Sequence, residues 1–288
     1  MHRRTTSLLF AFVITLFAFW LASCQDAPPV AYIQQIAVQG YLFANHPIDS
    51  IIVNKSLPVD QYYNRDSAGI TDAQVTITVE GTTYPLSPRT TPPGCYYLPD
   101  TTILVRSGKT YFLQIQYNGQ TVTAQTTVPD SIKITKRLPD TLQYPRDTIN
   151  IINYPDSIVT WTGITNKIAY AAAITCADTL NYDTLQHISN RRVYRPGDGG
   201  AGGQHYNDVT RWYGFLPISS VPVPWTVFKW YGNQKIAIYN VDQNFNDWLK
   251  MITLNGGTFT QNLNHINGGV GVFGSAGMDT MTTFLRMP

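Results

Sequence analysis

An Asn-Gly pair in the first half of the chain lies between two segments of strand-forming composition. Residues 111–117 read YFLQIQY, residues 121–128 read TVTAQTTV, and Asn118-Gly119 lies between them. Aromatic and β-branched side chains favour strands, and Asn-Gly accepts the positive φ angles of a two-residue hairpin turn. The pattern therefore predicts an antiparallel hairpin over residues 111–128, which commits this part of the chain to a sheet.

Further short strands surround this hairpin. Residues 36–42 and 50–53 are apolar, and residues 73–80 alternate apolar and polar side chains with a period of two. Such alternation indicates strands that bury one face, and the abundant Gly, Pro and Tyr are typical of strands joined by tight turns. Several short strands within about 100 residues, without a helical pattern, predict an Ig-like β-sandwich over residues 31–130.

The remaining residues, 131–288, are interpreted as a second β-rich domain with one short helix. Repeated Pro-Asp-Ser/Thr turns precede its short strands, and residues 177–210 form a long polar insertion. The glycine-rich segment 267–275 is predicted to be a strand in which the positions without a side chain permit either a bulge or the close approach of another backbone. Asp242 is the expected N-cap of the helix. The apolar stripe of that helix is Phe245, Trp248, Leu249 and Ile252. The predicted fold class is mainly β.

The N-terminus has the organisation of a bacterial lipoprotein precursor. Two arginines precede an apolar run that is too short for a permanent membrane helix and ends in Leu21-Ala22-Ser23-Cys24. An aliphatic residue and two small residues before a cysteine form a lipobox, in which the thiol receives the lipid. Residues 1–23 are therefore interpreted as a signal peptide, Cys24 as the lipidated N-terminus and residues 24–30 as a tether.

The charge of the mature chain argues against a nucleic-acid partner. Arg3 and Arg4 leave with the signal peptide, so the 20 basic side chains fall to 18 and equal the 18 acidic ones. Nucleic-acid binding requires a dense basic surface. No nucleic acid is therefore expected among the partners.

The order of these features resembles a Bacteroidota lipoprotein family classed as domain of unknown function 4249. The matching segments are the lipobox, Val38–Leu42, Ile70–Val75, Ser107–Tyr111, Thr123–Pro129, Asp247–Leu249 and Gly268–Gly274. Members often lie beside TonB-dependent outer-membrane receptors, so the resemblance implies an accessory role in uptake. The family supplies no catalytic residues.

The chain carries no convincing catalytic or metal-binding motif. Residues 197–202 match G-x-G-x-x-G but have neither the preceding strand nor the following helix that a phosphate site needs, which favours a loop. Asp198, His205 and Asp208 lack a compact ligand spacing, and no G-x-S-x-G nucleophile elbow occurs. The sequence therefore predicts no enzyme, no metal and no cofactor.

Two cysteines remain after Cys24. Cys95 and Cys176 fall in different predicted domains. An exported compartment permits a disulfide between them, and two separate buried thiols are the alternative.

An aromatic set in the C-terminal half is the best candidate for contact with a ligand or partner. It comprises Trp212, Tyr213, Trp225, Trp230 and Tyr231. Flat rings stack on planar ligands and anchor interfaces, although aromatic residues are also common in strand cores. Trp212 and Tyr213 follow the polar insertion and are the pair expected to be exposed.

The sequence thus predicts a lipid-anchored, non-enzymatic outer-membrane protein. It would bind or assist beside a TonB-dependent transporter, and the face of the membrane it occupies stays open. The alternative is a structural or adhesive surface lipoprotein without a transport partner.

Overall fold

A computed structural model describes most of the chain beyond the predicted tether. The described ranges are 32–58, 61–144, 158–165, 167–177, 210–214, 218–223, 225–228, 230–253 and 260–286, with backbone alone for residues 65, 210–214 and 226. Within these ranges, no helix combines the length and apolar character needed to cross a membrane.

The described residues are mainly in strands, as predicted. The strands are β1 Ile36–Phe43, β2 Ile51–Lys55, β3 Gln74–Val79, β4 Thr82–Pro85, β5 Ser87–Pro88, β6 Cys95–Tyr97, β7 Thr110–Tyr117, β8 Gln120–Thr127, β9 Ile134–Lys136, β10 Thr141–Gln143, β11 Ile158–Trp161, β12 Ala169–Cys176, β13 Thr210–Gly214, β14 Ser220–Pro222, β15 Gly232–Val241 and β16 Val270–Arg286. The α-helices are α1 Arg65–Ala68 and α2 Gln243–Thr253, and short 3₁₀ turns span Trp225–Val227 and Gln261–Leu263. This content confirms a mainly β fold.

The predicted hairpin is present as β7 and β8. Tyr117 pairs with Gln120, and the two turn residues have φ angles of 47° at Asn118 and 75° at Gly119. The hairpin belongs to a four-stranded antiparallel sheet in the order β4-β3-β7-β8. Its buried face packs on apolar side chains of β1 and β2, so two layers form a sandwich around one core.

We expect Gly119→Val to destabilise the protein by about 1–3 kcal/mol, because a β-branched residue resists positive φ. A Cβ at position 119 would have no atom within 4 Å, so backbone strain is the cause being measured. Urea unfolding followed by circular dichroism gives the change. Gln120→Val, one residue further in the strand, is the matched control, and an equal loss in both variants would contradict the turn assignment.

A nine-stranded sheet joins the N-terminal and C-terminal parts of the chain. Its order is β13-β12-β15-β16-β1-β2-β6-β5, with β10 also paired to β16. Strand β16 is parallel to β1 and antiparallel to β15. The boundary predicted near residue 130 therefore does not separate two sheets, and residues Gln34–Pro288 form one compact unit. Local sequence patterns identify strands but carry no information about such distant partners.

The C-terminal strands build two further apolar clusters. One is centred on Trp161, Tyr170 and Phe228, between the nine-stranded sheet and the three-stranded sheet β14-β11-β9. The other holds the small side chains of β12 against α2. The second cluster holds the helix in place, and the start of that helix forms part of one wall of the cleft described below.

The helix begins as predicted, but its buried face differs in part. Asp242 caps it, because its Oδ1 accepts a hydrogen bond from Phe245 N at 2.9 Å. Phe245 and Leu249 are buried as expected. Trp248 is half-buried and Ile252 is 37% exposed, whereas Met251 and Asp247 are buried in their place. The buried face is thus wider than the predicted stripe and includes a carboxylate.

Candidate functional site

The structure corrects the role predicted for part of the aromatic set. Trp225 and Trp230 are only 2% and 1% exposed, and Trp225 packs edge-on against Tyr144 at a centroid distance of 5.5 Å. Tyr231 is partly buried against the same Tyr144 ring. Trp225 and Trp230 are therefore buried side chains and offer no surface to a partner, because large apolar side chains gain most from burial.

The other predicted aromatic pair lies where only backbone is described. Trp212 and Tyr213 belong to β13 and pair with Ala173 and Ala172 of β12, but their side chains are outside the description. The interior of the insertion 177–210, with its glycine-rich motif, also lies outside the described residues, as does Cys24. The contact role of Trp212 and Tyr213 and the lipidation of Cys24 stay predictions.

The disulfide considered between Cys95 and Cys176 is not formed. Both thiols are buried and neither takes part in a disulfide in the described part of the chain. Cys176 Sγ donates to the carbonyl of Tyr231 at 3.8 Å, and Cys95 Sγ lies 3.6 Å from Ser50 Oγ. Strands β15, β16, β1 and β2 lie between β12 and β6 in the sheet. Five strand spacings amount to roughly 24 Å, far beyond the ~7 Å Cα limit of a disulfide.

An open cleft of about 1170 Å³ is the candidate binding site. One wall is the outward face of β7 and β8. The other is formed by the start of α2, the loop at residues 264–267 and residues near 164–168. This volume slightly exceeds that of typical small-molecule pockets, so the cleft has room for an extended ligand.

The sheet wall presents an aromatic ring among uncharged polar side chains. Phe112 of β7 pairs directly with Gln125 of β8, and Gln114 pairs with Thr123. All four residues line the cleft. Alternation along each strand places the neighbouring residues in the core, which holds these four in fixed positions on the outside. Predictions from sequence used the alternation to find the core and missed these outward positions.

The two walls are tied together by a side-chain amide and by a pair of backbone hydrogen bonds. Asn244 Nδ2 donates to the carbonyls of Gln125 at 2.7 Å and Phe273 at 2.8 Å. Thr123 N donates to Asn267 O at 3.0 Å, and Asn267 N donates back to Thr123 O at 2.9 Å. Because both walls share these bonds, the width of the cleft at this end is set by the fold.

A buried carboxylate connects three elements at the floor of the cleft. Asp242 accepts hydrogen bonds from Phe245 N of α2, from Ser275 N of β16 at 3.1 Å and from Thr126 Oγ1 of β8 at 2.5 Å. Burial raises the pKa of Asp242 above its usual range, although these hydrogen bonds act in the opposite direction. The geometry of Asp242 is that of a structural junction whose oxygens are already occupied.

A second carboxylate orients a histidine at the rim. His265 Nε2 lies 3.0 Å from Asp247 Oδ2, and Asp247 Oδ1 accepts hydrogen bonds from Gln243 at 2.7 Å and Lys250 at 3.2 Å. Burial favours a higher pKa for Asp247, but the hydrogen bonds from Gln243, His265 and Lys250 outweigh it and hold the pKa below its ordinary value.

The described side chains that line the cleft offer hydrogen-bonding groups to a ligand. An Asp-His pair needs an adjacent nucleophile for acyl transfer. The described hydrogen bonds join His265 to Asp247 and to none of the threonine hydroxyls that line the cleft. The described residues also contain no group of three or more His, Cys, Asp or Glu side chains arranged to hold a metal ion. The sheet wall of the cleft offers amides, hydroxyls and one aromatic ring on a rigid backbone.

We expect Asp247→Asn to lower the free energy of unfolding by about 1–3 kcal/mol at pH 7, since it weakens hydrogen bonds to a charged group. A carboxyl whose folded pKa is depressed stabilises the fold above its unfolded pKa of about 3.9, and this contribution is lost as pH falls through the folded pKa. The difference in free energy of unfolding between the variant and the parent should therefore shrink at acidic pH. Urea unfolding at pH 7 and pH 3 measures it. The exposed Asp140→Asn is the control, and a gap independent of pH would contradict the assignment.

Comparison with known proteins identifies a family without supplying an activity. Residues 27–282 match the family model described as "Domain of unknown function (DUF4249)". No curated protein matches the chain. A solved structure from a study of host cell surface retention by a 1.5-MDa bacterial ice-binding adhesin is 11% identical over 91% of this chain and 67% of that chain, with a TM-score of 0.20. A score this low carries no argument about fold or function.

Proposed function

We propose that this chain, which belongs to the family described as "Domain of unknown function (DUF4249)", is a lipid-anchored binding protein of the outer membrane. It acts as an accessory subunit of a TonB-dependent transporter. The lipobox ending at Cys24 supports the anchor. The short segment 24–30 would hold the β unit close to the membrane surface. The proposed role is to present a ligand to the transporter or to stabilise the transporter's outer or inner face.

The cleft is the observation that carries the binding part of this proposal. It is open, its walls are tied to each other, and the outward side chains of its sheet wall are uncharged amides and hydroxyls beside one aromatic ring. A preformed site loses little conformational entropy when it binds, which favours affinity without rearrangement. Binding is therefore the activity that the described residues support best.

The partner is tested by purification of the tagged full-length chain from detergent-solubilised native membranes, followed by mass spectrometry. The expected result is co-recovery of a TonB-dependent barrel protein. A Cys24→Ala variant, which cannot be lipidated, is the control and should leave the membrane fraction and lose the barrel. Recovery of the parent chain without any transporter would contradict the accessory role and favour a structural or adhesive lipoprotein.

The Trp212–Tyr213 pair is the proposed contact with the transporter. Replacing both by Ala should weaken association by about 2 kcal/mol or more, or roughly 30-fold, if either ring is a hot spot. The same co-purification measures the recovery of the barrel. Deletion of Gly197–Gly203 from the insertion is the comparison variant for the loop. Unchanged recovery with the double variant, at an unchanged melting temperature, would place the contact elsewhere.

A further inference from the structure

The outward face of the four-stranded sheet carries one exposed aromatic ring in a lattice of hydroxyl and amide side chains. Phe112 is 49% exposed and lies in a cross-strand row between Thr78 and Gln125. The next row holds Thr76, Gln114 and Thr123. Gln125 is directly opposite Phe112, at the Cβ separation of about 5 Å typical of such pairs, and Gln114 lies two residues along β7, about 7 Å away. A ligand over the ring therefore reaches both amides.

The two glutamines beside the ring have their hydrogen-bonding groups available. The side chains of Gln114 and Gln125 are exposed and make no hydrogen bond to other described residues. Each amide offers two donors and one acceptor oxygen. Strand β7 is hydrogen-bonded to β3 on one side and β8 on the other, so the amides and the ring are presented from a fixed backbone.

Charge is absent from this lattice and balanced in the rest of the cleft. The outward residues of β3, β7 and β8 opposite the ring and its neighbours are Thr, Gln and Phe. Among the described residues that line the cleft, Asp130 and Lys167 contribute opposite charges, and the oxygens of Asp242 are taken by its own hydrogen bonds. His265, which also lines the cleft, is paired with Asp247. A strongly charged ligand would find no compensating group beside the ring, which selects against it.

We infer that the cleft binds a neutral oligosaccharide, with a sugar ring stacked on Phe112 and its hydroxyls bonded to Gln114 and Gln125. A sugar has an apolar C–H face and a polar rim, which matches an aromatic ring bordered by amides. An extended peptide is instead recognised by the backbone groups of a sheet edge. Here the available groups are side chains on the face of the sheet, and the volume of about 1170 Å³ accommodates more than one sugar unit.

The inference rests on the proposed binding function but is independent of the transporter. Ligand binding is measured on the isolated protein, and the partner is measured by co-purification from membranes. Failure of the sugar test with successful recovery of a barrel would overturn the ligand class alone, and the reverse result would overturn the partner alone.

The test is native affinity electrophoresis of the full-length chain in detergent, in gels that contain dextran, pullulan, xylan or mixed-linkage β-glucan. We expect retardation by at least one of these neutral polysaccharides. Phe112→Ala should weaken binding about ten-fold or more, as for the loss of a central aromatic anchor. Gln125→Ala should weaken it by a smaller factor, because one hydrogen-bonding side chain is lost.

Phe284→Ala is the matched control, since Phe284 is 41% exposed but does not line the cleft. It should migrate like the parent chain in every gel. Circular dichroism spectra and melting temperatures of the variants show that the fold is kept. The proposal is overturned if the parent chain is retarded by none of the neutral polysaccharides, if it is retarded only by the charged polysaccharides alginate and pectin, or if Phe112→Ala binds as tightly as the parent.

Discussion

Substitution of Gly271 by Ala is expected to lower the free energy of unfolding by about 3–5 kcal/mol, the sum of backbone strain and overpacking. Gly271 has a φ of 122° and pairs with Val38 in the parallel β1–β16 ladder. A Cβ at this position would overlap the carbonyl oxygen of Val38 and lie 2.9 Å from its carbonyl carbon. Backbone atoms in a central ladder cannot move aside without breaking hydrogen bonds, so relief is limited.

Gly81→Ala is the control that separates the two causes. Gly81 also has a positive φ, of 79° against 122° at Gly271, but a Cβ there would have no atom within 4 Å. It should cost only about 1 kcal/mol, from strain alone. Urea unfolding of both variants gives the comparison. Equal losses would show that β1 and β16 are not in the close register described here.

The same glycine shows what the sequence could and could not predict. The sequence predicts a strand over residues 267–275 with either a bulge or a close backbone approach. The strand begins at Val270, and the contacts of Gly271 and Gly274 show close approach. Glycine in a strand indicates close approach without identifying what approaches. The approaching strand is β1, which is far away in the sequence. Because β1 pairs with β16, strands from both sides of residue 130 belong to the same nine-stranded sheet.

Local features were predicted more successfully than their assembly. The hairpin at Asn118-Gly119 and the cap at Asp242 depend on a few adjacent residues, and both are present. The burial of Trp225 depends on packing against strands that are distant along the chain. Aromatic residues serve both cores and interfaces, so composition alone does not distinguish the two roles.

The candidate site required both the register and the opposite wall. The alternation in β7 predicts that Phe112 and Gln114 share a face, but only the pairing with β8 places Gln125 beside the ring. The loop that contains His265 and Asn267 then makes this face into a cleft. The sequence did contain a signal for a binding surface, because the outward residues of this hairpin are uncharged and include one aromatic residue.

Replacement of Asp242 by Ala is the second large effect expected. It removes the helix cap, the hydrogen bond from Phe245 N, typically worth about 1 kcal/mol. It also leaves the buried Ser275 N without its acceptor, at about 1–3 kcal/mol, whereas Thr126 Oγ1 keeps Ser275 Oγ at 2.6 Å. We therefore expect a loss of about 2–4 kcal/mol by urea unfolding. Because the residue joins β8, α2 and β16, a loss below about 1 kcal/mol would contradict its role as a junction.

Asp242→Asn tests the electrostatic part of that role. Asn keeps one acceptor oxygen and removes the charge, so a smaller loss of about 1–2 kcal/mol is expected at acidic pH. Burial raises the folded pKa of Asp242, so the folded parent binds its proton more tightly than the unfolded chain does. The stability of the parent therefore falls as pH rises from about 3.9 through the raised folded pKa. Asn does not ionise, so the variant has no pH-dependent contribution at this position.

The difference in free energy of unfolding between Asp242→Asn and the parent should thus narrow as pH rises. The corresponding difference for Asp247→Asn should widen. The two carboxylates lie within five residues on the same helix end, and their pKa values are displaced in opposite directions. Unfolding curves of both variants at pH 3, 5 and 7 measure the two slopes under identical conditions. A gap that widens for both would show that the hydrogen bonds to Asp242 outweigh its burial and hold the carboxylate ionised.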